Sequence, residues 1–482
     1  MKVILWDTRL NDVQKDFAGG MGVGMHPGTG GWRGKIIQRM YRRDYRPTAL
    51  NFAYLVAILK RLGHEVVYHL QSENESGSSV PAGDLFIFNP ALISLASELE
   101  AIKEIKRCQP KCKILVVGKV AFGMSETFLD SGATVLKGES EQLLFKWDEV
   151  LQSDEQTIDI GSVADLDSLP MPDWSLFKFK KFRINYDFWR FPSTYIQQSR
   201  GCTFKCNYCP YIMVESKTRF RSPLAVVDEM RYGMERYGFE SFKFRDPLFG
   251  LNRKNVLALT EGIRRLKKKI QFSVETRVDL MREETLRELK DAGLTSITIG
   301  IETPDEATLK QYSRVAINDD RQRSFVELCR SLGIRTVAGF MVGFPHDTEK
   351  SIYDVLNYAR QVNPTFANFN IVTPYPGTPF YEEVKHQIAD FDFSKYSVYE
   401  PVMKYDHLTT EQVKELHGRC FSKFYFRSRY FKDNALLLWP QLRRFVPKKT
   451  ESELGLGAAA AKSSSLPIVS LKSNSKSTSK AA

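Results

Sequence analysis

Between residues 193 and about 375, a short apolar run is followed by an amphipathic helix, and the unit recurs. The apolar runs fall at 194–199, 241–246, 270–276, 295–302, 335–343 and 366–372. Helical periodicity fills 223–237, 252–267, 282–292, 319–332 and 349–362, with Leu286, Leu289 and Ala292 as one example of apolar residues three apart. Gly293 and Gly333 stand where two of these helices must stop. Strands joined through helices run parallel and need cover, and six such units predict an incomplete (β/α)6 TIM-type barrel. The chemistry of such a barrel belongs at the carboxyl ends of its strands.

Residues 1–151 alternate in the same way. Apolar strands are expected at 2–7, 65–69, 84–88, 113–118 and 134–138, with helices at 47–62, 93–107 and 140–151. Five such strands predict a doubly wound, Rossmann-like parallel sheet, making the chain α/β throughout. Ligands of these sheets sit at the carboxyl ends of the strands. That rule gathers Asp7, Asn89-Pro90, Gly118-Lys119 and Gly138-Glu139 around one crevice. The Gly-rich segment 19–31 follows the first strand. It is not a dinucleotide fingerprint: read from Gly20, the sixth place is Met25, and no helix follows directly.

Three of the seven cysteines, Cys202, Cys206 and Cys209, sit in the loop after the first barrel strand. None of the seven histidines is near them in sequence. A structural zinc site needs four ligands, usually as two pairs. An iron–sulfur cube held by thiolates normally takes four cysteines, so three would leave one iron open to a ligand. Cys108, Cys112, Cys329 and Cys420 are scattered and read as buried thiols.

The spacing Cys-x3-Cys-x2-Cys, with Tyr208 before the last cysteine, resembles the signature of the radical S-adenosylmethionine (SAM) superfamily. The resemblance implies a [4Fe-4S] cluster on Cys202, Cys206 and Cys209, with SAM chelating the open iron and cleaved to a 5′-deoxyadenosyl radical. It implies Tyr208 and Glu302 as cofactor contacts, Glu302 to the SAM ribose, with Gly343-Phe344-Pro345 along the adenine. Arg277 would meet the SAM carboxylate. Asp246 is a further contact, although the family often has two acidic residues where this chain has Arg245-Asp246. The bland alternative for Glu275, Arg277 and Glu302 is an ion-pair network across the barrel mouth.

The first 151 residues are similar to the cobalamin-binding domain that precedes the barrel in one subfamily, which contains methyltransferases and the anaerobic magnesium-protoporphyrin cyclase. The similarity rests on Gly63-His64-Glu65-Val66, Val116-Val117-Gly118 and Lys137-Gly138-Glu139-Ser140-Glu141. It implies cobalamin, with Gly118, Gly138 and Glu139 among its contacts. The Asp-x-His-x-x-Gly motif that supplies a cobalt ligand in many cobalamin proteins is absent, and His26 does not match it. The lower axial ligand stays open. The implied reaction is C-methylation of an unactivated carbon, with ring closure or rearrangement as the alternative. An RNA-modifying methylthiotransferase would need a second three-cysteine cluster and a small terminal β-barrel, and neither is visible. An electron-carrying iron–sulfur protein would not leave an iron open.

The remaining segments are a linker at 152–192, a helical extension at 376–450 and a basic tail at 451–482. The aromatic and basic stretch 177–191 is expected to pack its rings on a neighbouring domain. The apolar run 436–439 is expected to pack on the barrel, with an anionic membrane surface as the alternative. A hydrophobic content of 43% and a charged content of 26% are those of an ordinary globular protein. No apolar run reaches the ~20 residues that span a bilayer. The short, quickly polar first segment does not read as a signal peptide, so a cytoplasmic location is expected. The net charge of +12 is assigned to solubility rather than nucleic acid. Expected partners are a small-molecule or lipid-like substrate and a reducing donor such as flavodoxin or ferredoxin.

Overall fold

The structure is a computed structural model that describes residues 1–9, 15–16, 23–24, 47–72, 80–184, 187–213 and 217–442. His26, most of the Gly-rich segment around it, the basic residues 443–449 and the 451–482 tail lie outside the described residues.

The N-terminal sheet has six parallel strands: β1 (Lys2–Arg9), β2 (Glu65–Ser72), β3 (Leu85–Phe88), β4 (Lys113–Val116), β5 (Thr134–Gly138) and β6 (Thr157–Gly161). Their order is β2-β1-β3-β4-β5-β6. Val3 faces Val66 on one side and Leu85 on the other, so the order reverses at β1. Val3, Ile4, Leu5 and all of Leu85–Phe88 are fully buried, because helices cover both faces. Helix Leu50–Arg61 supplies one such face, burying Phe52, Ala53, Leu55, Val56, Ile58 and Leu59. It ends before Gly63, whose φ of 82° suits a residue without Cβ.

The sixth strand is a departure from the sequence reading, which placed 157–161 in a linker. Thr157–Gly161 pairs with β5 and alternates buried Ile158 and Ile160 with exposed Asp159. It is a half-buried edge strand, and Asp159 breaks up any apolar run that would mark it. The rest of the segment packs as expected. Trp174 is buried edge-to-face against Phe177, Phe182 and Phe239, and Phe188 is fully buried.

The second sheet holds β7 (Ser193–Ile196), β8 (Ser241–Phe244), β9 (Gln271–Thr276), β10 (Leu294–Glu302), β11 (Arg335–Val342) and β12 (Phe366–Ile371). All pairs are parallel and each strand neighbours the next in sequence. β7 and β12 are the two edges, so the barrel is partial. Its helices carry strong local signals. Ser222 caps Pro223–Tyr237, which stops at Gly238 in the left-handed region. Thr348 and Ser351 form a reciprocal capping pair on Glu349–Val362.

The β12 edge is covered by the C-terminal extension. Tyr425 on helix Thr410–Tyr425 donates to the Ala367 carbonyl at 2.8 Å, and Tyr430 donates to Thr365 at 2.6 Å. Residues 393–403 return to the N-terminal sheet. Tyr396, Val402 and Met403 share one apolar core with Ile4, Phe88, Leu92 and Ile105. On the last described helix, Ser428–Leu442, Tyr430 and Asn434 are buried while Leu436 is 90% and Trp439 57% exposed. Up to Leu437 the helix turns its inner face to the barrel through Tyr430 and Asn434, with Leu436 facing away. Among the described residues no helix is long and apolar enough to cross a membrane.

Candidate active site

The three cysteines lie on a loop that is closed at its base. Asp246, at the end of β8, accepts hydrogen bonds from the Gln198 amide at 3.1 Å, from the Ser199 amide and from the Ser199 hydroxyl at 2.6 Å. Ser199–Arg200 then pairs antiparallel with Arg219–Phe220. Gly201 follows with φ of 86°, and a Cβ there would run into the Lys217 carbonyl, so only glycine lets the two limbs approach. The loop is also fastened to its surroundings. The Asn207 amide donates to the Tyr312 carbonyl at 3.2 Å, and the Phe380 amide donates to Asn207 at 3.2 Å.

None of the seven cysteines is in a disulfide. Cys206 is buried, while Cys202 and Cys209 are partly exposed. Burial raises Cys202 and pushes Cys209 up to about 11, against the opposing charge of Lys119 at Cys209. Arg314 Nη1 approaches the Cys206 sulfur at 3.8 Å. Among the described residues no three His, Cys, Asp or Glu side chains converge closely enough to hold a single metal ion. Three thiols spaced along one loop instead suit a multi-iron cluster, in which each thiolate takes its own iron.

Glu302 and Arg277 are brought to this loop. Glu302 ends β10 at a register shift, with φ of 72°, a conformation rare outside glycine. Such strained backbone concentrates at functional sites. Its Oε1 lies 3.1 Å from Arg314, and a Cβ on Gly300 would come within 2.9 Å of that guanidinium. Burial raises the Glu302 carboxyl, with Arg314 and Arg277 pulling the other way. The ion-pair alternative for Glu302 is thus present, and the pair is the one that also reaches Cys206.

Arg277 is almost fully buried. Its Nε and Nη2 each donate to Asp279 at 3.0 Å, and its guanidinium lies 4.3 Å from the ring centre of Phe204, inside the cysteine loop. Its Nη1 has no hydrogen-bond partner among the described residues. The Tyr208 hydroxyl is likewise buried and, among the described residues, without a partner, beside the rings of Tyr312 and Phe344. Two orphaned donors by the thiols mark a place where a polar ligand would be satisfied. Glu275 belongs to a structural network instead, 2.9 Å from Arg245 and 3.2 Å from Lys243.

Asp246, expected as a cofactor contact, is set at the base of the cysteine loop. It is fully buried, and its oxygens are engaged by the backbone and hydroxyl donors of Gln198 and Ser199. It positions the chain leading into the cysteine loop.

Gly118, Gly138 and Glu139 line a second place, a cavity of ≈ 450 Å³ at the carboxyl edge of the N-terminal sheet. That volume is within the range of small-molecule pockets. Asn51, Asn89, Lys119 and Ser140 line it from the sheet side, and Tyr195, Arg200, Tyr211 and Arg245 from the barrel side. Gly118 and Gly138 have φ of 91° and 115°. A Cβ would strike the Asn89 amide oxygen at the first and the Gly161 carbonyl at the second, so glycine keeps these strand ends flat. The Glu139 carboxylate lines the cavity and is paired. It meets Arg219 at 2.7 Å and Arg200 at 3.4 Å, and although burial raises its carboxyl, the two guanidiniums bring it below the usual range. Asp7 does not line the cavity; it meets Lys15 at 3.1 Å, Thr48 at 3.0 Å and Tyr68 at 2.8 Å.

Lys119 joins the two places. It lies over the Tyr211 ring at 3.8 Å, and burial lowers its ammonium to about 8 while Cys209 and Cys202 oppose the drop. The sequence reading did not single out Arg314, Arg200 or Arg219. Arg200 immediately precedes Gly201-Cys202, which is a signal of position; Arg314 lies on a short connection with no periodicity to mark it.

Residues 196–359 match the family model of the radical SAM superfamily. The chain carries a radical SAM domain. It is 26% identical over 268 residues to an uncharacterised methyltransferase of Pyrococcus horikoshii, covering 55% of this chain and 57% of the relative. It is 29% identical over 274 residues to the anaerobic magnesium-protoporphyrin IX monomethyl ester cyclase of Cereibacter sphaeroides, covering 56% of this chain and 44% of the relative. The chain thus spans about half the length of these curated relatives. Among solved structures, the cobalamin-dependent SAM radical enzyme OxsB with aqua-cobalamin and SAM bound aligns with a TM-score of 0.63 at 14% identity, covering 94% of this chain and 70% of that one. That likeness establishes the fold: a Rossmann-like parallel sheet ahead of a partial barrel.

Proposed function

We propose that this chain is a cobalamin-dependent radical SAM enzyme that methylates an unactivated carbon of a small-molecule or lipid-like substrate. The observation that carries the reading is the shared wall. The cavity of the N-terminal sheet and the three-thiol loop meet at Lys119, Arg200 and Tyr211. The relatives named as a methyltransferase and a cyclase support methyl transfer first and ring closure as the second reading.

The residues fit the groups that this reading requires. Cys202, Cys206 and Cys209 would hold the cluster. Arg277, with its unpartnered Nη1, would take the SAM carboxylate, and Tyr208 and Glu302 would stand beside it. Gly118 and Gly138 would present bare backbone to cobalamin, with Glu139 fixing the loop around them. The bound groups supply the electron that cleaves SAM and a transferable methyl group. The chain does the rest. Aromatic residues Tyr208, Tyr312 and Phe344 exclude water from the barrel mouth, where a radical would otherwise be quenched. Arg314 holds Glu302 and the Cys206 end of the loop in one geometry. A low-potential donor such as flavodoxin or ferredoxin, in a reducing compartment such as the cytoplasm, would complete the system.

The test is anaerobic reconstitution with iron, sulfide and cobalamin, followed by metal analysis and measurement of 5′-deoxyadenosine. About four irons and one cobalamin per chain are expected, with 5′-deoxyadenosine formed from SAM. In Cys206→Ala both iron and 5′-deoxyadenosine should fall to background. Wild-type nucleoside production by that variant would sink the cluster assignment, and iron without cobalamin would remove methyl transfer.

A further inference from the structure

Along the wall of the cavity, side chains form one continuous hydrogen-bonded chain. Asn89 Nδ2 donates to Asn51 Oδ1 at 3.1 Å, and Asn51 Nδ2 donates to the Ser140 hydroxyl at 3.3 Å. Ser140 donates to Glu141 Oε2 at 3.0 Å, and Arg200 Nη2 donates to Glu141 Oε1 at 2.8 Å. All five residues line the cavity. The chain starts where Asn89 meets Gly118 and ends on the residue that opens the cysteine loop.

Burial gives this chain its leverage. The Glu141 side chain is 5% exposed and that of Arg200 12%, so breaking their contact would strand charge in a poorly solvated place. Each amide at the other end commits one of its two hydrogens to the next member of the chain, so a ligand that engages the Asn89 or Asn51 amide in the cavity acts on the same groups and can turn them out of that arrangement. A rebuilt arrangement moves Glu141, and Arg200 follows it.

Building on the function proposed above, we infer that Glu141 is a positioning residue that couples occupation of the cavity to the geometry of the three-thiol loop. Cobalamin in the cavity and the cluster on the loop then alter each other's binding, and by linkage the effect is equal in both directions.

The experiment titrates hydroxocobalamin into the full chain, with and without the reconstituted cluster, and records the electron paramagnetic resonance spectrum of the reduced cluster with and without cobalamin. In the wild type, cobalamin affinity should differ by about five-fold or more between the two forms, and cobalamin should shift the cluster spectrum. In Glu141→Gln both cofactors should still bind, the ratio of affinities should fall to about one, and the spectral shift should vanish. Ser140→Ala keeps the ion pair and breaks the chain beside it, so it should lose part of the ratio; it decides the matter alone if Glu141→Gln does not fold. A wild-type ratio of one, or a ratio unchanged in both variants, overturns the coupling while leaving the function standing. A wild-type chain that takes up no cobalamin overturns both.

Discussion

Strand β3 of the N-terminal sheet is Leu85-Phe-Ile-Phe88, and every side chain on it is both apolar and buried. Strand β8 of the barrel is Ser241-Phe-Lys-Phe244, equally buried, yet it carries a lysine. Lys243 is 2.8 Å from Asp187, whose side chain has no exposure at all. In a doubly wound sheet both faces are covered by helices, so both must be apolar. In a curled sheet one face turns toward itself, and its interior can hold charges if they are paired. The first arrangement leaves a broad, flat carboxyl edge that a large ligand can lie across. The second gathers polar groups toward a narrow mouth, where a small charged ligand can be gripped.

The largest test of that contrast is Lys243→Met. Removing one partner of a buried ion pair costs about 3–5 kcal/mol, because Asp187 is left without its cation. Adding Asp187→Leu should recover most of the loss in denaturant titrations. Ile87→Ala in β3 should cost about 2–5 kcal/mol as a cavity, with no charge for a second change to relieve. A double variant no more stable than Lys243→Met would end the account of a self-compensating interior.

Next comes pH. Burial pushes the Asp246 carboxyl up to about 6, against the hydrogen bonds it accepts, and among the described residues no cation pairs with it. Its native state therefore holds a proton that the unfolded chain gives up near pH 4. Stability should fall as pH rises from about 4 to about 6, by roughly 3 kcal/mol. The Asp246→Asn variant should lack that slope; an identical slope in both proteins would assign it elsewhere.

The smallest effect sharpens the N-terminal side. Gly138→Ala should cost more than the ~1–2 kcal/mol of left-handed backbone strain alone, because its Cβ would meet the Gly161 carbonyl. Gly63→Ala isolates the strain, since nothing lies within 4 Å of a Cβ there. Equal losses in the two variants would mean that β5 and β6 yield to the clash. Cobalamin affinity should drop only in Gly138→Ala.

Much of this architecture was legible because parallel strands advertise themselves as unbroken apolar runs. Lys113-Ile-Leu-Val-Val117 could be little else, and Gly293 and Gly333 marked where two helices stop. β6 was hidden by Asp159, which faces solvent on an edge strand. The cysteine spacing identified the loop, but nothing local distinguishes Asp246, which holds that loop's approach, from a carboxylate that faces a ligand. Arg314, Arg200 and Arg219 were invisible for a related reason. Their partners Glu302, Glu141 and Glu139 lie 12, 59 and 80 residues away in sequence, and only folding brings the charges together.

The core that Tyr396, Val402 and Met403 complete with Ile4 and Phe88 sets a timetable for the chain's birth. Residues of β6 leave the ribosome some 240 positions before those that close the core. At 5–20 residues per second, the part of that core which Tyr396, Val402 and Met403 cover waits on the order of ten to fifty seconds for them. The N-terminal domain therefore cannot complete its core until the barrel strands, which lie between the two in sequence, have themselves been made.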